Sequence, residues 1–249
     1  MYYKSRSIVI KNKDYQESDK LVTVFSEKQG KIQAIAKGIK KPGSSLRASI
    51  QPFCHSLLFF HSGRGLALIT QGQLIDFFGN SREDISRTLH CIYIMELLDK
   101  ALMEQVAMPR LFKLVLDVLN FINNQGLNPL VLRFLEMQIM VELGYKPEFN
   151  HCMNCGQQGN ILKSFSPEMG GMLCPECASG HNHCTLLSGE VLGLLKLLLN
   201  GNLKTLPRVR ASDAVLARLE SFLEEYLEYH LERRFNLKHT IRILKQSLS

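Results

Sequence analysis

This 249-residue sequence lacks several signatures, and each absence excludes something. There is no run of about twenty apolar residues, so no membrane span is expected. The opening MYYKSRSIVIKNKD is basic and strand-like and has no apolar stretch of the kind a secretion signal needs, so none is expected. No Gly-x-x-x-x-Gly-Lys phosphate loop occurs, which removes ATP hydrolysis by that route. No Gly-x-Ser-x-Gly nucleophile elbow occurs either. Internal repeats and low-complexity tracts are missing. With no catalytic constellation, an enzyme is not expected. Acidic residues are scarce in one region. Residues 1–80 hold 12 Lys or Arg against 5 Asp or Glu, which accounts for the whole formal charge of +7, and the remainder balances. Positive charge confined to one third of a chain points to a polyanionic partner for that third.

What is present begins with the cysteines. Cys152 and Cys155 form one Cys-x-x-Cys pair, and Cys174 and Cys177 form a second, eighteen residues on. That double spacing is the signature of a four-cysteine zinc site. Each tight turn offers two thiolates to one ion, and the intervening loop brings the turns together. Gly156, Gly159, Gly170 and Gly171 allow the reversals. Two disulfides are the alternative. A total of seven cysteines, an odd number, fits a reducing cytosol better. Four sulfurs leave no open coordination position, so the ion is expected to be structural. The zinc deaminase pattern places Pro immediately before its cysteine pair, whereas Pro175 lies inside the second pair here. His151, His181, His183 and Cys184 stand nearby as spare polar residues of a solvated loop or as substitute ligands. Cys54 and Cys91 sit in apolar surroundings and are expected to be plain core residues.

Residues 1–80 have the pattern of about five strands. SIVIKNKDY alternates early. In KLVTVFSEKQGKIQAIAKG, Val22, Val24 and Phe25 precede a polar turn at Glu27–Gly30, and Ile32, Ala34 and Ala36 alternate after it. SLLFFHSGRGLALITQGQLIDFF repeats the pattern around Gly63 and Gly65. A small closed barrel removes unpaired strand edges, and barrels of the OB type bind single strands through basic grooves and stacking rings. Between the hairpins, KGIKKPGSSLRASIQPF gathers Lys37, Lys40, Lys41 and Arg47 on a turn-rich segment. Either they grip phosphates, with counterion release, or they form a merely solvated loop. Tyr2, Tyr3, Phe59 and Phe60 are candidates to stack on bases, with core packing the simpler expectation for both phenylalanines.

From residue 81 the period becomes helical. Ser81-Arg-Glu-Asp is expected to open a helix whose inner face holds Ile85, Leu89, Ile92, Met95 and Leu98. Pro109 starts a second helix, with Leu111, Leu114, Val115, Val118 and Leu119. Asn128 and Pro129 start a third, which runs to Gly144. Phe165, Met169 and Met172 are expected to pack the metal loop onto the bundle. Ser188 caps GEVLGLLKLLLN and Ser212 caps the last long helix, with Leu219, Phe222, Leu223, Tyr226 and Leu227 inside. Arg233, Arg234, Lys238, Arg242 and Lys245 make the tail basic, either for an acidic partner or as a solvated helix end.

The expected fold class is therefore α+β. An N-terminal five-stranded OB-type β-barrel at 1–80 binds nucleic acid, and an all-α helical domain at 81–249 carries a four-cysteine zinc module at about 150–180.

SDKLVTVFSEKQGKIQAIAKGIKK, SSLRASIQPF, LLDKAL, FLEMQIMVELGYKPEFNHCMNCG and CPEC, in this order, resemble the RecO family of bacterial recombination mediators. ELGYKPEFNHCMNCG is the most specific of these, and the resemblance covers essentially the whole chain. It implies a non-catalytic, cytoplasmic and nucleoid-associated protein of DNA repair and recombination. Such a protein binds single- and double-stranded DNA, anneals complementary strands, acts with RecR, helps load RecA and meets the acidic tail of single-strand binding protein. By position, Lys37, Lys40, Lys41 and Arg47 fall in the family's basic barrel segment, and Cys152, Cys155, Cys174 and Cys177 match its structural Zn²⁺ positions. A zinc-stabilised adaptor that binds only proteins is the competing expectation.

Overall fold

The computed structural model describes residues 1–41, 43–63, 65–159 and 162–233. Contacts divide the chain into two compact units, one containing Met1–Gly126 and the other beginning at Leu127.

In the first unit, β1 (Tyr2–Asp14), β2 (Lys20–Ser26), β3 (Gly30–Ala36), β4 (His55–His61) and β5 (Ala67–Asp76) hydrogen-bond in the cyclic order β1-β2-β3-β5-β4 and close a barrel. All pairings are antiparallel except β3 with β5, where Ala34, Ile35 and Ala36 run parallel to Ala67, Leu68 and Ile69. The alternation seen in the sequence sets the inside. Val22, Val24, Ile32, Ala34, Ala36, Leu58, Phe60 and Ile69 fill the core, while their neighbours along each strand point outward.

Three helices belong to the same unit: α1 (Gly79–Glu83), α2 (Ile85–Ala101) and α3 (Pro109–Gln125). The expected helix start at Ser81 is displaced. Ser81 is buried in α1, and α2 is capped by Asp84, whose carboxylate accepts from the Arg87 N–H at 3.0 Å. Nor is the inner face of α2 the expected stripe. Ile85 is 71% exposed, and the helix buries His90, Cys91, Tyr93, Ile94, Met95, Leu97, Leu98 and Ala101 over a broad arc. The reason is that α2 packs against both β1 and α3. Lys11 of β1 and Lys31 of β3 both pair with Asp99 of α2, the latter pair at 3.7 Å. Phe25 of β2 meets Phe112 of α3 edge-on at 5.4 Å. These contacts group residues 81–126 with the barrel, whereas composition alone places the boundary at 80. Arg82 adds a further tie. Its guanidinium stacks between Phe53 at 3.8 Å and Phe77 at 4.0 Å and donates to the Pro52 carbonyl at 2.7 Å.

The second unit is built on α4 (Pro129–Glu142), α6 (Gly189–Asn200) and α7 (Asp213–Leu231). Asn128, Ser188 and Ser212 cap them as expected, each side-chain oxygen accepting from the first turn. This unit is not all-α. Between α4 and α6 lies a three-stranded sheet, in the order β7 (Gly171–Leu173), β6 (Ser164–Ser166), β8 (Thr185–Leu186), with the single-turn α5 (Pro175–Ala178). Phe165 of β6 is fully buried and meets Phe222 at 4.8 Å and Tyr226 at 5.5 Å on α7. Met172 is buried as well and Met169 partly so. Arg133 and Glu136 form a buried ion pair at 3.0 Å on α4.

Candidate metal centre and nucleic-acid interface

Two hydrogen-bonded turns build the metal centre. Gly156 N–H donates to the Cys152 carbonyl at 2.9 Å and Cys152 N–H donates to that of Gln157 at 2.8 Å, curling the first cysteine pair. Ala178 N–H donates to the Cys174 carbonyl at 2.9 Å, curling the second. Met153 N–H donates to the Met172 carbonyl at 2.9 Å and so joins the two turns. The four Sγ atoms of Cys152, Cys155, Cys174 and Cys177 all lie within 4.8 Å of one another. Cys155 and Cys174 are 3.7 Å apart. A tetrahedron with metal–sulfur bonds of about 2.3 Å has an edge of about 3.8 Å, so the spacing fits one ion among four thiolates.

The electrostatics agree. Burial opposes ionisation of Cys152, but the N–H groups of Cys155, Cys174 and Asn154 outweigh it and hold the thiol at about 6. Asn154 Nδ2 donates to Cys177 Sγ at 3.3 Å, which favours its thiolate, yet the Cys174 sulfur, burial and the other two sulfurs push it up to about 12. One thiolate forms readily and its neighbours then resist. A divalent cation removes that repulsion, and binding it expels the remaining protons.

Among the described residues the cluster consists of these four cysteines alone. His151 instead lies 3.4 Å from Glu148, and Cys184 Sγ is directed to the His181 carbonyl. The zinc deaminase pattern also needs a His-x-Glu triplet, and the chain holds one, His230–Glu232, at the end of α7. Its histidine stacks on Tyr145 at 4.5 Å and stands apart from the sulfurs.

The basic segment lies on the barrel. Ile39, Leu46 and Ile50 insert into the barrel core, which leaves the residues between them facing solvent. Lys37, Lys40, Lys41 and Arg47 are all exposed. The loop is fixed rather than loose. Buried Asp19 accepts from the Gly38 N–H at 2.8 Å, Lys40 N–H donates to the Ser18 carbonyl at 3.1 Å, and Arg47 Nη2 donates to the Lys41 carbonyl at 3.0 Å. Gly38 and Gly43 take the left-handed backbone that these turns require, at φ +64° and +82°. Gly72 of β5 makes room for the segment, since a Cβ there would lie 2.2 Å from Ser49 Oγ.

The four cations differ in their surroundings. Lys40 pairs with Asp14 at 2.9 Å, while Lys37 and Lys41 make no ion pair among the described residues. Sequence reasoning missed Asp14 because it lies on another strand. Of the four aromatic candidates, Phe60 is core and Tyr3 stacks on it at 5.0 Å. Tyr2 is 74% exposed, and Phe59 lies on the outward side of β4, contrary to the core expectation. Of the basic tail, Arg233 is described, and Arg234, Lys238, Arg242 and Lys245 lie outside the described residues. No described helix is long and apolar enough to cross a membrane.

The architecture defines a class: a cation-rich β-barrel with attached helices, followed by a helical unit braced by a four-thiol cluster able to hold a metal ion. The chain belongs to the recombination protein O family. Residues 1–78 match the model described as Recombination protein O N terminal, and residues 82–239 match Recombination protein O C terminal. It is 55% identical to the DNA repair protein RecO of Syntrophomonas wolfei over 248 residues, 100% of this chain and 99% of that one. The RecO of Desulforamulus reducens is 33% identical, covering 99% of this chain and 96% of its own. That of Oceanobacillus iheyensis is 36% identical, covering 92% and 89%. The two family matches part at residues 78–82, beside the composition boundary.

Proposed function

We propose that this protein is a non-catalytic recombination mediator of DNA repair, acting in the cytoplasm at the nucleoid. Its barrel is of the OB type, a reading supported by the strand order and the parallel β3–β5 closure. It binds single- and double-stranded DNA through phosphates at Lys37, Lys40, Lys41 and Arg47. It lowers repulsion between complementary strands so that they anneal without fuel, and with RecR it helps load RecA. The acidic tail of single-strand binding protein is a further partner. The ion at Cys152, Cys155, Cys174 and Cys177 is structural Zn²⁺. It holds the β6–β8 sheet against α7 and takes no part in handling DNA.

The observation that carries this reading is the basic segment, anchored by Ile39, Leu46 and Ile50 yet exposed at every cation. A rigid backbone presents charges without first having to order them, which makes each phosphate contact less costly in entropy. The test is annealing of complementary oligonucleotides by a variant with Lys37, Lys40, Lys41 and Arg47 all changed to Ala. Annealing is expected to slow and single-strand affinity to lose part of its salt dependence, at about 0.7 in log–log slope per lost phosphate contact. Unchanged annealing and slope would defeat the assignment. A wild-type protein that binds no DNA would leave the adaptor reading.

A further inference from the structure

The basic loop occupies one side of the barrel. A second surface, the outer face of β1, β4 and β5, has a composition of its own. Register fixes what it presents. Tyr3 and Phe60 are opposite each other and turned inward, so Tyr2, Lys4 and Arg6 on β1 point outward, as do Leu57, Phe59 and His61 on β4. Across β4, Phe59 faces Gln71 and Leu57 faces Gln73 on β5. Three rows result: Tyr2–His61–Leu68, Lys4–Phe59–Gln71 and Arg6–Leu57–Gln73. Successive rows stand about 7 Å apart along the strands. A β-bulge between Phe59 and Phe60 displaces Thr70, whose hydroxyl donates to the Phe59 carbonyl at 3.3 Å. Bulges of this kind re-aim side chains at working surfaces.

Three properties of this face fit one ligand. No acidic residue occurs in the three rows, and neither Lys4 nor Arg6 makes an ion pair among the described residues. The carboxylates at its border are Asp76, one row on and engaged with the Phe78 N–H at 2.7 Å, and Glu27, whose N–H donates to the Arg6 carbonyl. The face also carries flat rings. Tyr2 is 74% exposed and lies on His61 at 4.4 Å, and Phe59 is flanked directly by Lys4 and Gln71. Gln71 and Gln73 are exposed amides able both to donate and to accept. Unpaired cations beside rings and amides suit a strand whose phosphates and bases are both accessible. In a duplex the base faces are stacked on each other and cannot reach a flat sheet.

We infer that the outer face of β1, β4 and β5 is a second nucleic-acid platform, selective for single strands. Lys4 and Arg6 hold phosphates, Tyr2 and Phe59 stack on bases, and Gln71 and Gln73 contact base edges. This deepens the proposed function and rests on it, but through residues separate from the loop. The division of labour is chemical. The loop offers charge alone and does not distinguish single strands from duplex, whereas the platform adds stacking and does.

The test uses the full chain, a single-stranded oligonucleotide containing 2-aminopurine and a duplex of equal length, each titrated at two salt concentrations. The variants are Lys4→Ala with Arg6→Ala, Tyr2→Ala with Phe59→Leu, and the four-residue loop variant. Thermal unfolding checks that each is folded, and if one platform variant does not fold, the other alone decides the outcome. The charge variant is expected to lose roughly tenfold in single-strand affinity with a shallower salt slope, and duplex affinity stays as in wild type. The ring variant is expected to lose roughly tenfold with its slope unchanged and the 2-aminopurine quenching diminished. The loop variant weakens both ligands. Platform variants that bind single strands like wild type, or that lose single strands and duplex equally, overturn the platform and leave the loop standing. A platform that binds an acidic peptide instead also overturns it. A wild-type protein that binds neither nucleic acid overturns the proposed function as well.

Discussion

Asp14 Oδ2 lies 2.9 Å from Lys40 Nζ, so the end of β1 holds down one of the four cations on the neighbouring basic segment. Hydrogen bonding to Lys40 lowers the Asp14 carboxyl below its usual range, with help from the charges of Lys40 and of Lys20, 4.0 Å away. The pair is solvent-exposed, so it matters more for which charges are available than for stability. Asp14→Asn is expected to free Lys40 for phosphate. Single-strand affinity should rise a few-fold and the salt slope steepen by about 0.7. Titration at several salt concentrations reads both, and an unaltered slope would mean that Asp14 does not compete with the strand for Lys40.

The metal centre predicts a link between ion content and the stability of the helical unit. Cys155→Ser leaves three sulfurs and should remove nearly all bound Zn²⁺, as measured by elemental analysis of the purified protein. Because binding energy at such a site is folding energy, several kcal/mol of stability should go with it. Chelation of the wild type should lower its thermal midpoint toward that of the variant. A variant that retains one equivalent of zinc would mean that another residue supplies the fourth ligand.

Gly30 closes the β2–β3 turn at φ +71°, directly against the segment after α2, where a Cβ would fall 1.8 Å from the Val106 carbonyl oxygen. Gln105 N–H donates to the Lys31 carbonyl at 2.9 Å and fixes that approach. Gly30→Ala therefore meets both backbone strain and a clash, with an expected cost of about 2–4 kcal/mol. Urea unfolding measures it. A loss below about 0.5 kcal/mol would show that the segment moves away freely.

His55 predicts acid sensitivity. Burial lowers its pKa and the Arg6 charge adds to this, against weaker opposition from Asp76 and Glu27. Its Nε2 is buried without a hydrogen-bond partner. Above the unfolded value of about 6.5, both states are neutral and the group contributes nothing to pH dependence. As pH falls below that value the unfolded chain takes up the proton first, so stability drops until the folded pKa is reached. The ring of His55→Phe does not titrate. The difference in unfolding free energy between variant and wild type should shift in favour of the variant from pH 7.5 to pH 5. A constant difference across that range would refute the assignment. Metal loss in acid affects both proteins alike and cancels.

Legibility followed the range of the interaction. The caps at Asn128, Ser188 and Ser212 were readable because a cap satisfies N–H groups two or three residues away. Strand alternation placed Val22, Val24, Ile32, Ala34 and Ala36 in the core for the same local reason. The start of α2 was misread because Ser81 and Asp84 are both competent caps, and only the burial of Ser81 in the preceding turn leaves the role to Asp84. Ile85 was assigned to an inner face because one stripe was assumed, yet α2 is buried on two sides. Phe59 was assigned to the core beside Phe60, although adjacent strand residues must face opposite ways.

By itself the sequence determined the four-sulfur pattern, the five alternating strands and the concentration of positive charge in the first eighty residues. These are matters of spacing and composition, set by chain geometry over a few bonds. Only the tertiary structure decided which of those charges are at liberty. Lys40 is bound to Asp14, and Lys11 and Lys31 are bound to Asp99, while Lys4, Arg6, Lys37 and Lys41 have no ion-pair partner among the described residues. It also brought the first helices into contact with the barrel. The physical reason is that an ion pair or a packed ring depends on separation in space, and strand register and barrel closure bring together residues that the chain keeps far apart.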